Sequence, residues 1–424
     1  MTETLTPETA EQVLETVQWA AAEEMPLEVM GAGSKRAYGR PSPAAHRLDL
    51  KALSGIQLYE PMELVMSARA ATPLADIDAA LAENRQRLGF EPADLGPLLG
   101  AGAGAGTIGG AVICNLSGPG RIKAGAARDH ILGFHAVSGR GGTFKSGGRV
   151  VKNVTGFDLS KLMAGSFGTL AVMTDVTVKV VPAPEETRTV LVLGAGDAQA
   201  VKAMNEALNS AFEISAAAHL PAGVAPGSAI ASVAAAGAAV TALRIEGPKP
   251  SVVYRAEALN ALLAAYGSRE ELDSAESLAF WRQVRDAAFF AADGPGEGQK
   301  QVWRLSVPPA EGAGVAARIL DAADGRVFYD WGGGLLWLAL APLPDGGHEA
   351  VRAAMGNGGG HAAVRAALGT GGGHATLVRA GADVRAAVPV FQPQPAPLAG
   401  LTARVKEAFD PKGVLNPGRM YEGV

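Results

Sequence analysis

The sequence has little of several things that would point to particular classes of protein. Of its 424 residues only Cys114 is a cysteine, so no disulfide can form within the chain, and nothing indicates an oxidising compartment. Charged residues make up 19% of the chain and the formal net charge is −5. This balance lacks the basic face that nucleic-acid binding requires, so we expect no nucleic-acid partner.

Long apolar runs are also missing. The two stretches without Asp, Glu, Lys or Arg, 95–120 and 214–243, are interrupted by glycine or proline. A membrane-spanning helix needs about 20 strongly apolar residues in a row. The first residues, MTETLTPETAEQ, carry acids and lack the apolar core of a signal peptide. We therefore expect a cytoplasmic protein without a transmembrane segment.

A 13-residue repeat lies in the last third of the chain, over 348–380. Its units begin at His348, His361 and His374 and read HEAVRAAMGNGGG, HAAVRAALGTGGG and HATLVRA. Equally spaced histidines could hold a metal, but no cysteine or carboxylate cluster accompanies them. We prefer a tandem duplication in a tolerant surface loop, and we predict no metal site.

The order of helical and strand-like segments predicts two domains and a tail. Pro182-Ala183-Pro184 follows a β-like run and marks a boundary. We predict a first domain over 1–182, a second over 183–408, and a C-terminal segment, 409–424, that returns to the first. Thr6 and Pro7 suit the start of the first helix. Predicted strands are 27–30, 64–68, 131–138 and 174–181, then 189–193, 241–246, 301–307, 327–331 and 335–340; predicted helices are 73–82, 158–164, 198–209, 255–266 and 277–290. This mixture predicts an α+β second domain with an antiparallel sheet.

Three glycine-rich segments in the first domain are the candidates for ligand binding. They are 31–36 (GAGSKR), directly after a strand; 104–110 (GAGTIGG), followed by Asn115, Ser117 and Gly118; and 150–158 (VVKNVTGFD), continued by 165–170. Glycine lets backbone N–H groups approach a phosphate closely. One such loop alone would be an ordinary turn, but the three together favour a site for a diphosphate.

The second segment also fits the pattern of a Rossmann dinucleotide fold, with glycines at 104, 106 and 109. That fold needs a strand before the glycines and a long helix after them. Here residues 98–103 do not read as a strand, and Ser117-Gly118-Pro119-Gly120 must end any helix. The Rossmann interpretation is therefore rejected.

On six segments the chain resembles the vanillyl-alcohol oxidase / p-cresol methylhydroxylase family of flavoproteins. They are GAGSKRAYG, TIGGAVICNLSGPGR, GGRVVKNVTGFDLSKLMAGSFGTLAVMTDVTVKVVP, WRLSVPP, DWGGGLLWL and the terminal FDPKGVLNPGRMY. Within that family the chain is similar to the E-type subunits of glycolate oxidase. The resemblance implies an α+β fold, with a PCMH-type FAD-binding domain of two subdomains followed by an α+β cap domain.

The resemblance also implies which residues hold FAD. The pyrophosphate would lie against Gly31, Ala32, Gly33, Ser34, Lys35, Gly104, Gly106, Thr107, Ile108, Gly109 and Gly110. Asn115, Ser117 and Gly118 would line the ribityl and ring region; Thr155, Gly156, Gly168 and Val172 would line the other side of the cofactor and its adenosine; Asn416 and Gly418 would return the C-terminus to the FAD domain. Members with covalent flavin carry a histidine where this chain has Gly33, so we expect non-covalent FAD.

The function implied is that of an FAD-binding subunit in a glycolate or D-lactate-type dehydrogenase complex, which oxidises glycolate to glyoxylate. Its partners would be a catalytic flavoprotein subunit and an iron–sulfur subunit, through which the complex could associate with the inner membrane face. The catalytic partners carry a His-Gly-x-Gly-type stretch that this chain lacks, so we assign no catalytic residue. Arg282, Arg285 and Arg304 are candidates for binding a substrate carboxylate, but we do not include them among the predicted site residues. A self-sufficient flavin oxidase or dehydrogenase, and a structural subunit without chemistry of its own, remain alternatives.

Overall fold

The computed structural model describes residues 3–149, 156–292, 297–355 and 373–424. The chain groups into two compact units. The first comprises Met1–Ser117, Gly125–Ala183 and Gln394–Val424, and the second comprises Gly118–Ala124 and Pro184–Pro393. The domain limits drawn from the sequence remain a prediction; the grouping breaks the chain after Ala183, one residue from the predicted limit.

Strands make up four sheets within the described residues. In chain order they are β1 (Glu3–Leu5), β2 (Leu27–Met30), β3 (His46–Asp49), β4 (Ile56–Glu60), β5 (Val65–Arg69), β6 (Gln86–Arg87), β7 (Ile131–Ser138), β8 (Gly142–Gly147), β9 (Ala171–Lys179), β10 (Val181–Pro182), β11 (Glu186–Leu193), β12 (Ala216–Leu220), β13 (Val240–Gly247), β14 (Ser268–Leu272), β15 (Gln301–Ser306), β16 (Gly325–Asp330), β17 (Leu335–Leu340) and β18 (His374–Arg379).

The α-helices are distributed among these strands along the chain. They are α1 (Ala10–Ala22), α2 (Leu74–Glu83), α3 (Ile108–Ile113), α4 (Arg121–Ala124), α5 (Ala127–His130), α6 (Leu159–Met163), α7 (Asp197–Leu208), α8 (Ala231–Ala234), α9 (Lys249–Leu262), α10 (Ser274–Arg285), α11 (Gly312–Ala322), α12 (His348–Ala354), α13 (Ala382–Ala387) and α14 (Ala396–Phe409). In the described ranges we find no helix whose length and apolar character would let it cross a membrane.

The first subdomain of unit 1 is built on a parallel sheet of order β1-β3-β2. Helix α1 lays Val13, Val17 and Ala20 against it, the three- and four-residue spacing that places side chains on one helix face. The helix starts later than predicted: its N-cap is Thr9 rather than Thr6, and the Thr9 hydroxyl accepts a hydrogen bond from the Gln12 N–H. Leu415 bridges Leu27 in parallel, so the C-terminal segment extends this sheet.

The second subdomain of unit 1 is an antiparallel sheet of order β4-β5-β9-β7-β8. Its centre, β9, is buried along most of its length. Helices α2 and α3 cover it with Ile77, Leu81, Ile108 and Val112, which share one core with the strands. Two sheets with two separate cores agree with the predicted two-subdomain domain. The turn after β2 and the start of α3 are thereby placed in the same unit.

Unit 2 contains one antiparallel sheet of order β14-β11-β13-β12-β16-β17-β15-β18. All six residues of β17 are buried. The predicted α+β architecture with an antiparallel sheet is confirmed. Helix α14, which the sequence prediction placed in the second domain, groups with unit 1 instead.

The 13-residue repeat differs from the expected surface loop. Its first copy forms α12, with Val351 fully buried. Its third copy forms β18, which pairs with β15 and buries Ala375, Leu377 and Val378. The loop interpretation is therefore wrong for these two copies, because each contributes apolar side chains to a packed core. Residues 356–372, which hold all but the last residue of the second copy, lie outside the described ranges.

Candidate cofactor site

Unit 1 contains an open cavity with an empty volume of about 850 Å³, part of it open to solvent. The walls come from the turn after β2, the start of α3, the loop before β9 and the C-terminal segment. The lining residues are Glu28, Val29, Met30, Gly31, Ala32, Gly33, Ser34, Lys35, Arg36, Leu50, Ala70, Ala71, Thr107, Gly109, Gly110, Ile113, Cys114, Phe167, Gly168, Ala171, Met173, Asn416 and Arg419.

Thr107 is the point at which the first two glycine segments meet. It is the N-cap of α3, and its hydroxyl accepts from the Gly110 N–H at 3.3 Å. A Cβ added at Gly31 would lie 3.1 Å from the Thr107 Oγ1, and one added at Gly110 would lie 3.0 Å from it. A side chain at Gly31 would press on Thr107 of the second segment, and one at Gly110 would press on Thr107 of its own segment and on Lys35 of the first. Two glycine loops therefore approach each other closely, as the sequence predicted for a diphosphate site.

Lys35 brings a positive charge to this junction. Its ammonium donates to the Ser34 hydroxyl at 3.1 Å, and Ser34 itself is buried. The Lys35 Nζ lies 3.3 Å from the position that a Cβ on Gly110 would take. The absence of a side chain at Gly110 therefore leaves room for the lysine chain to cross the start of α3.

The C-terminal segment supplies further lining residues, Asn416 and Arg419. The Asn416 side chain accepts from the Val29 N–H at 2.8 Å and donates to the Phe167 carbonyl at 2.8 Å. It thus ties β2 to the loop that precedes Gly168. The Arg419 guanidinium donates to the carbonyls of Lys35 and Arg36, at 3.0 and 2.9 Å.

The predicted site residues divide between the cavity and its surroundings. Ten of them line it: Gly31, Ala32, Gly33, Ser34, Lys35, Thr107, Gly109, Gly110, Gly168 and Asn416. Of the others, Gly104 and Gly156 are exposed, Gly106 packs against Leu74, and Ile108 and Val172 are core residues. Asn115 and Ser117 follow α3, and Gly118 groups with unit 2. Gly418 lies beyond Asn416, and Thr155 is outside the described ranges.

Sequence reasoning missed several lining residues, above all Arg419 and Cys114. Arg419 lies in the terminal segment NPGRMY, in which the resemblance implies cofactor contacts for Asn416 and Gly418. Burial raises the pKa of the Cys114 thiol, while the positive charges of Lys35 and Arg419 act in the opposite direction. The net increase keeps the thiol protonated near neutral pH.

Glu28 is the acidic residue of the cavity lining, and it is engaged by arginines. Its carboxylate accepts from Arg36 at 2.8 Å and from Arg47 at 3.3 Å. Burial by itself would raise the pKa of Glu28, but these two arginines outweigh burial and lower the pKa. The negative charge of Glu28 is therefore offset by the two arginines.

None of the six histidines in the described ranges lines the cavity. His219 is fully buried in unit 2, where its Nδ1 lies 2.9 Å from the Thr241 hydroxyl and its Nε2 lies 3.3 Å from the Asp197 carboxylate. The Asp197 carboxylate also accepts from the Tyr329 hydroxyl at 2.6 Å. This network satisfies the polar atoms of the buried His219, while the Asp197 side chain is partly exposed.

The candidate carboxylate clamps lie in unit 2. Arg285 pairs with the neighbouring Asp286 at 2.8 and 2.9 Å. The Arg304 guanidinium lies 5.0 Å from the centre of the Trp331 ring, and that of Arg121 lies 4.5 Å from it. Both are cation–π distances. In the described part of the chain, no group of three or more His, Cys, Asp or Glu residues is arranged to hold a metal ion.

Comparison with known proteins places this geometry in a family. Residues 3–147 match the family model described as FAD binding domain. The chain is 33% identical to the glycolate oxidase subunit GlcE of Escherichia coli strain K12, over 97% of both chains. It is 28% identical to a D-lactate dehydrogenase of Archaeoglobus fulgidus, over 42% of this chain and 38% of that one.

The fold has solved counterparts. One is p-cresol methylhydroxylase with substrate bound, which superposes with a TM-score of 0.69 at 16% identity and covers 98% of this chain and 88% of its own. This likeness confirms the predicted PCMH-type fold. Together with the full-length match, it shows that the chain belongs to the GlcE family of glycolate oxidase subunits, flavoproteins with an FAD-binding domain.

Proposed function

We propose that this chain is the FAD-binding subunit of a complex that oxidises glycolate, or a related 2-hydroxy acid, to the corresponding 2-oxo acid. The observation that supports it most directly is the two-loop cavity in unit 1, found in a chain similar over 97% of its length to a glycolate oxidase subunit. When bound, FAD supplies the acceptor for the hydride that leaves the substrate.

The residues of the cavity fit this cofactor. A diphosphate is anionic and needs close backbone approach, and the junction of Gly31, Thr107 and Gly110 provides that approach beside the Lys35 ammonium. In the proposed arrangement these residues hold the diphosphate. Gly168 and Asn416 line the same cavity.

We further propose that FAD is bound without a covalent link. Gly33 stands where covalent members of the wider family carry histidine, and no described histidine lines the cavity. The remaining nucleophile of the lining is Cys114, whose raised pKa disfavours the reactive thiolate. Acid precipitation of the purified protein should release all of its flavin into the supernatant. A yellow pellet would contradict this, and Cys114→Ser would then show whether the thiol carries the link.

The base that removes the substrate's hydroxyl proton is proposed to come from the partner subunit. The described histidines are outside the cavity, and the carboxylate of its lining, Glu28, is paired with Arg36 and Arg47, which lower the pKa of Glu28. A missing general base typically costs about 10²–10⁴ in rate. The isolated chain should therefore bind FAD but be reduced very slowly by glycolate or D-lactate in anaerobic single-turnover experiments.

Reconstitution with the catalytic flavoprotein subunit should restore turnover, and that turnover should persist when His130, His135, His348, His361 and His374 of this chain are replaced in turn. Fast reduction of the isolated chain would favour the self-sufficient enzyme instead. A preparation that folds but retains no yellow cofactor would favour a structural subunit.

The composition of the complex can be tested by co-purification. Cys114 is the single cysteine, so this chain cannot itself hold a four-cysteine iron–sulfur cluster, and such a cluster would sit on another subunit. We propose a cytoplasmic complex that reaches the inner membrane face through its partners. Mass spectrometry of proteins that co-purify from cytosolic and membrane fractions should identify the catalytic and iron–sulfur subunits. Recovery of this chain alone from both fractions would argue against the complex.

A further inference from the structure

Lys406 is a buried lysine of unit 1 that is not one of the residues lining the cofactor cavity. It lies in the last turn of α14, and its side chain is 7% exposed. Its ammonium donates to the Asp410 carboxylate at 2.7 Å, to the Thr169 carbonyl at 2.7 Å and to the Leu415 carbonyl at 2.9 Å. An ammonium has three N–H donors, so these three hydrogen bonds use all of them.

The two carbonyl acceptors belong to segments that line the cavity. Thr169 directly follows Gly168, and Leu415 directly precedes Asn416. Both Gly168 and Asn416 are lining residues. The Lys406 ammonium therefore joins two segments of the lining, far apart along the chain, from a position outside the cavity.

The Asp410 carboxylate fixes the C-terminal segment from the same point. Its side chain is fully buried and accepts from the Val414 and Leu415 N–H groups at 3.0 and 2.8 Å. The next residue, Asn416, accepts from the Val29 N–H in β2, and β2 leads directly into the first glycine loop. One buried ion pair thus fixes the C-terminal segment, and through it β2, against the loop before β9.

Stability alone does not require an ion pair at this position. Burial lowers the pKa of Lys406, although the charge of Asp410 acts in the opposite direction. This direction reflects the desolvation of the ammonium, and replacement of a buried ion pair by apolar residues is often neutral for stability. An apolar side chain, however, could not donate to the Thr169 and Leu415 carbonyls at once. What the lysine adds is a fixed geometry of the two segments.

We propose that Lys406 is a positioning residue for FAD binding, whose ammonium sets the separation between the loop before β9 and the C-terminal segment. The inference rests on the proposed binding of FAD in this cavity. A site that is already held in its binding geometry binds more tightly, because less ordering is left for the binding step. FAD affinity should therefore depend on Lys406 separately from the stability of the fold.

The test measures FAD affinity and stability of the full-length apoprotein separately. Affinity is followed by quenching of flavin fluorescence, at a temperature where circular dichroism shows each variant to be folded, and stability by thermal denaturation. Lys406→Met should raise the Kd for FAD about tenfold to a hundredfold, because two hydrogen bonds to segments of the lining are lost. Leu81→Ala is the control: it removes a fully buried side chain from the core of the second subdomain, away from the lining residues. It should lower Tm but bind FAD like the wild type.

The double variant Lys406→Met/Asp410→Asn separates positioning from a purely structural role. It no longer contains a buried carboxylate without a cation, so Tm should recover in part. The Thr169 and Leu415 carbonyls still lack the ammonium, so the Kd should stay raised. Recovery of wild-type affinity together with Tm would overturn the proposal, as would wild-type affinity in Lys406→Met or an equal loss of affinity in Leu81→Ala. If Lys406→Met does not fold, the double variant decides by the same two measurements. Failure of the wild type to bind FAD would instead refute the proposed function.

Discussion

Gly109 and Gly110 are neighbours in α3, yet an added methyl group would meet different surroundings at each. At Gly109 a Cβ would lie 2.6 Å from the Ala70 carbonyl oxygen and 2.8 Å from the Ala70 Cβ. At Gly110 the nearest atoms are the Thr107 Oγ1 and the Lys35 side chain. The Ala70 backbone is part of the packed core and cannot turn aside, whereas a lysine side chain can. We therefore predict that Gly109→Ala lowers stability and that Gly110→Ala lowers FAD affinity.

The expected size of each effect follows from these contacts. The Gly109 N–H donates to the Ala70 carbonyl at 2.8 Å, and the new methyl group would separate the two. Overpacking costs about 1–3 kcal/mol and the hydrogen bond about 0.5–1.5 kcal/mol, so the loss should be about 2–4 kcal/mol. In a folding unit of this size that lowers Tm by about 4–16 °C.

At Gly110 the crowding is opposed by the helix preference for alanine, about 0.5–1 kcal/mol, so Tm should change little. Displacement of the Lys35 ammonium should raise the Kd for FAD about tenfold to a hundredfold.

Differential scanning calorimetry of the apoproteins and FAD titration separate the two effects. The two variants serve as controls for each other, since they differ by one residue along the same helix. A wild-type Tm for Gly109→Ala would show that α3 does not pack on Ala70 as described. Wild-type affinity in Gly110→Ala would show that Lys35 does not bind the diphosphate.

Three further predictions concern buried or capped carboxylates. Lys406→Met should lower the free energy of unfolding by about 3–5 kcal/mol, because it leaves the Asp410 carboxylate, paired at 2.7 Å and 1% exposed, without its cation. Thermal denaturation should show a smaller loss of stability when Asp410→Asn is added, and an equal loss would count against the ion pair. Asp345→Ala should lower the free energy of unfolding by about 1 kcal/mol at pH 7, measured by urea denaturation. Hydrogen bonds from the backbone of Glu349 and Gly347 lower the pKa of Asp345, so its stabilisation is complete above about pH 4 and is lost as pH falls through the folded-state pKa. A difference in stability between variant and wild type that persisted at about pH 2 would refute this. Asp197→Ala should cost about 1–3 kcal/mol, and less in a Tyr329→Phe background, because the two groups share a 2.6 Å hydrogen bond; strict additivity would contradict the coupling.

The sequence predicted some elements to the residue and missed others for identifiable reasons. Strands β7 and β17 were predicted with the ends that the structure has, because each is a continuous run of mostly apolar residues. Strand β3 reads HRLD and β12 reads AAAHL, and neither has a strong β preference. They become strands because neighbouring strands offer them backbone partners. That information lies in tertiary packing rather than in local sequence.

The repeat shows the same limit most directly. HEAVRAA in the first copy is helical, whereas HATLVR in the third copy is a strand. Similar sequences take different structures because Val351 packs from a helix face, while Ala375 and Leu377 face neighbours along the edge of the sheet. Periodicity alone could not separate these outcomes.

The glycine loops of the cavity can be predicted from local sequence, but the distant residues that line it beside them cannot. A glycine cluster after a strand is visible in one short stretch of sequence, and ten of the predicted residues line the cavity. Arg419 and Phe167 reach it through contacts across most of the chain. Spacing along the sequence does not indicate contacts between residues this far apart, so local sequence does not predict that Arg419 lines the cavity.

The discontinuity of unit 1 has a consequence for synthesis on the ribosome. Residues 183 and 419 are 236 positions apart, and both belong to the same unit. At about 5–20 residues per second, roughly 10–50 s pass between the emergence of one and of the other. During this interval β2 has emerged without Leu415 and Asn416, which complete its hydrogen bonding. The cofactor cavity can therefore be completed only after the intervening unit has been translated. Binding of FAD must then follow the synthesis of nearly the whole chain.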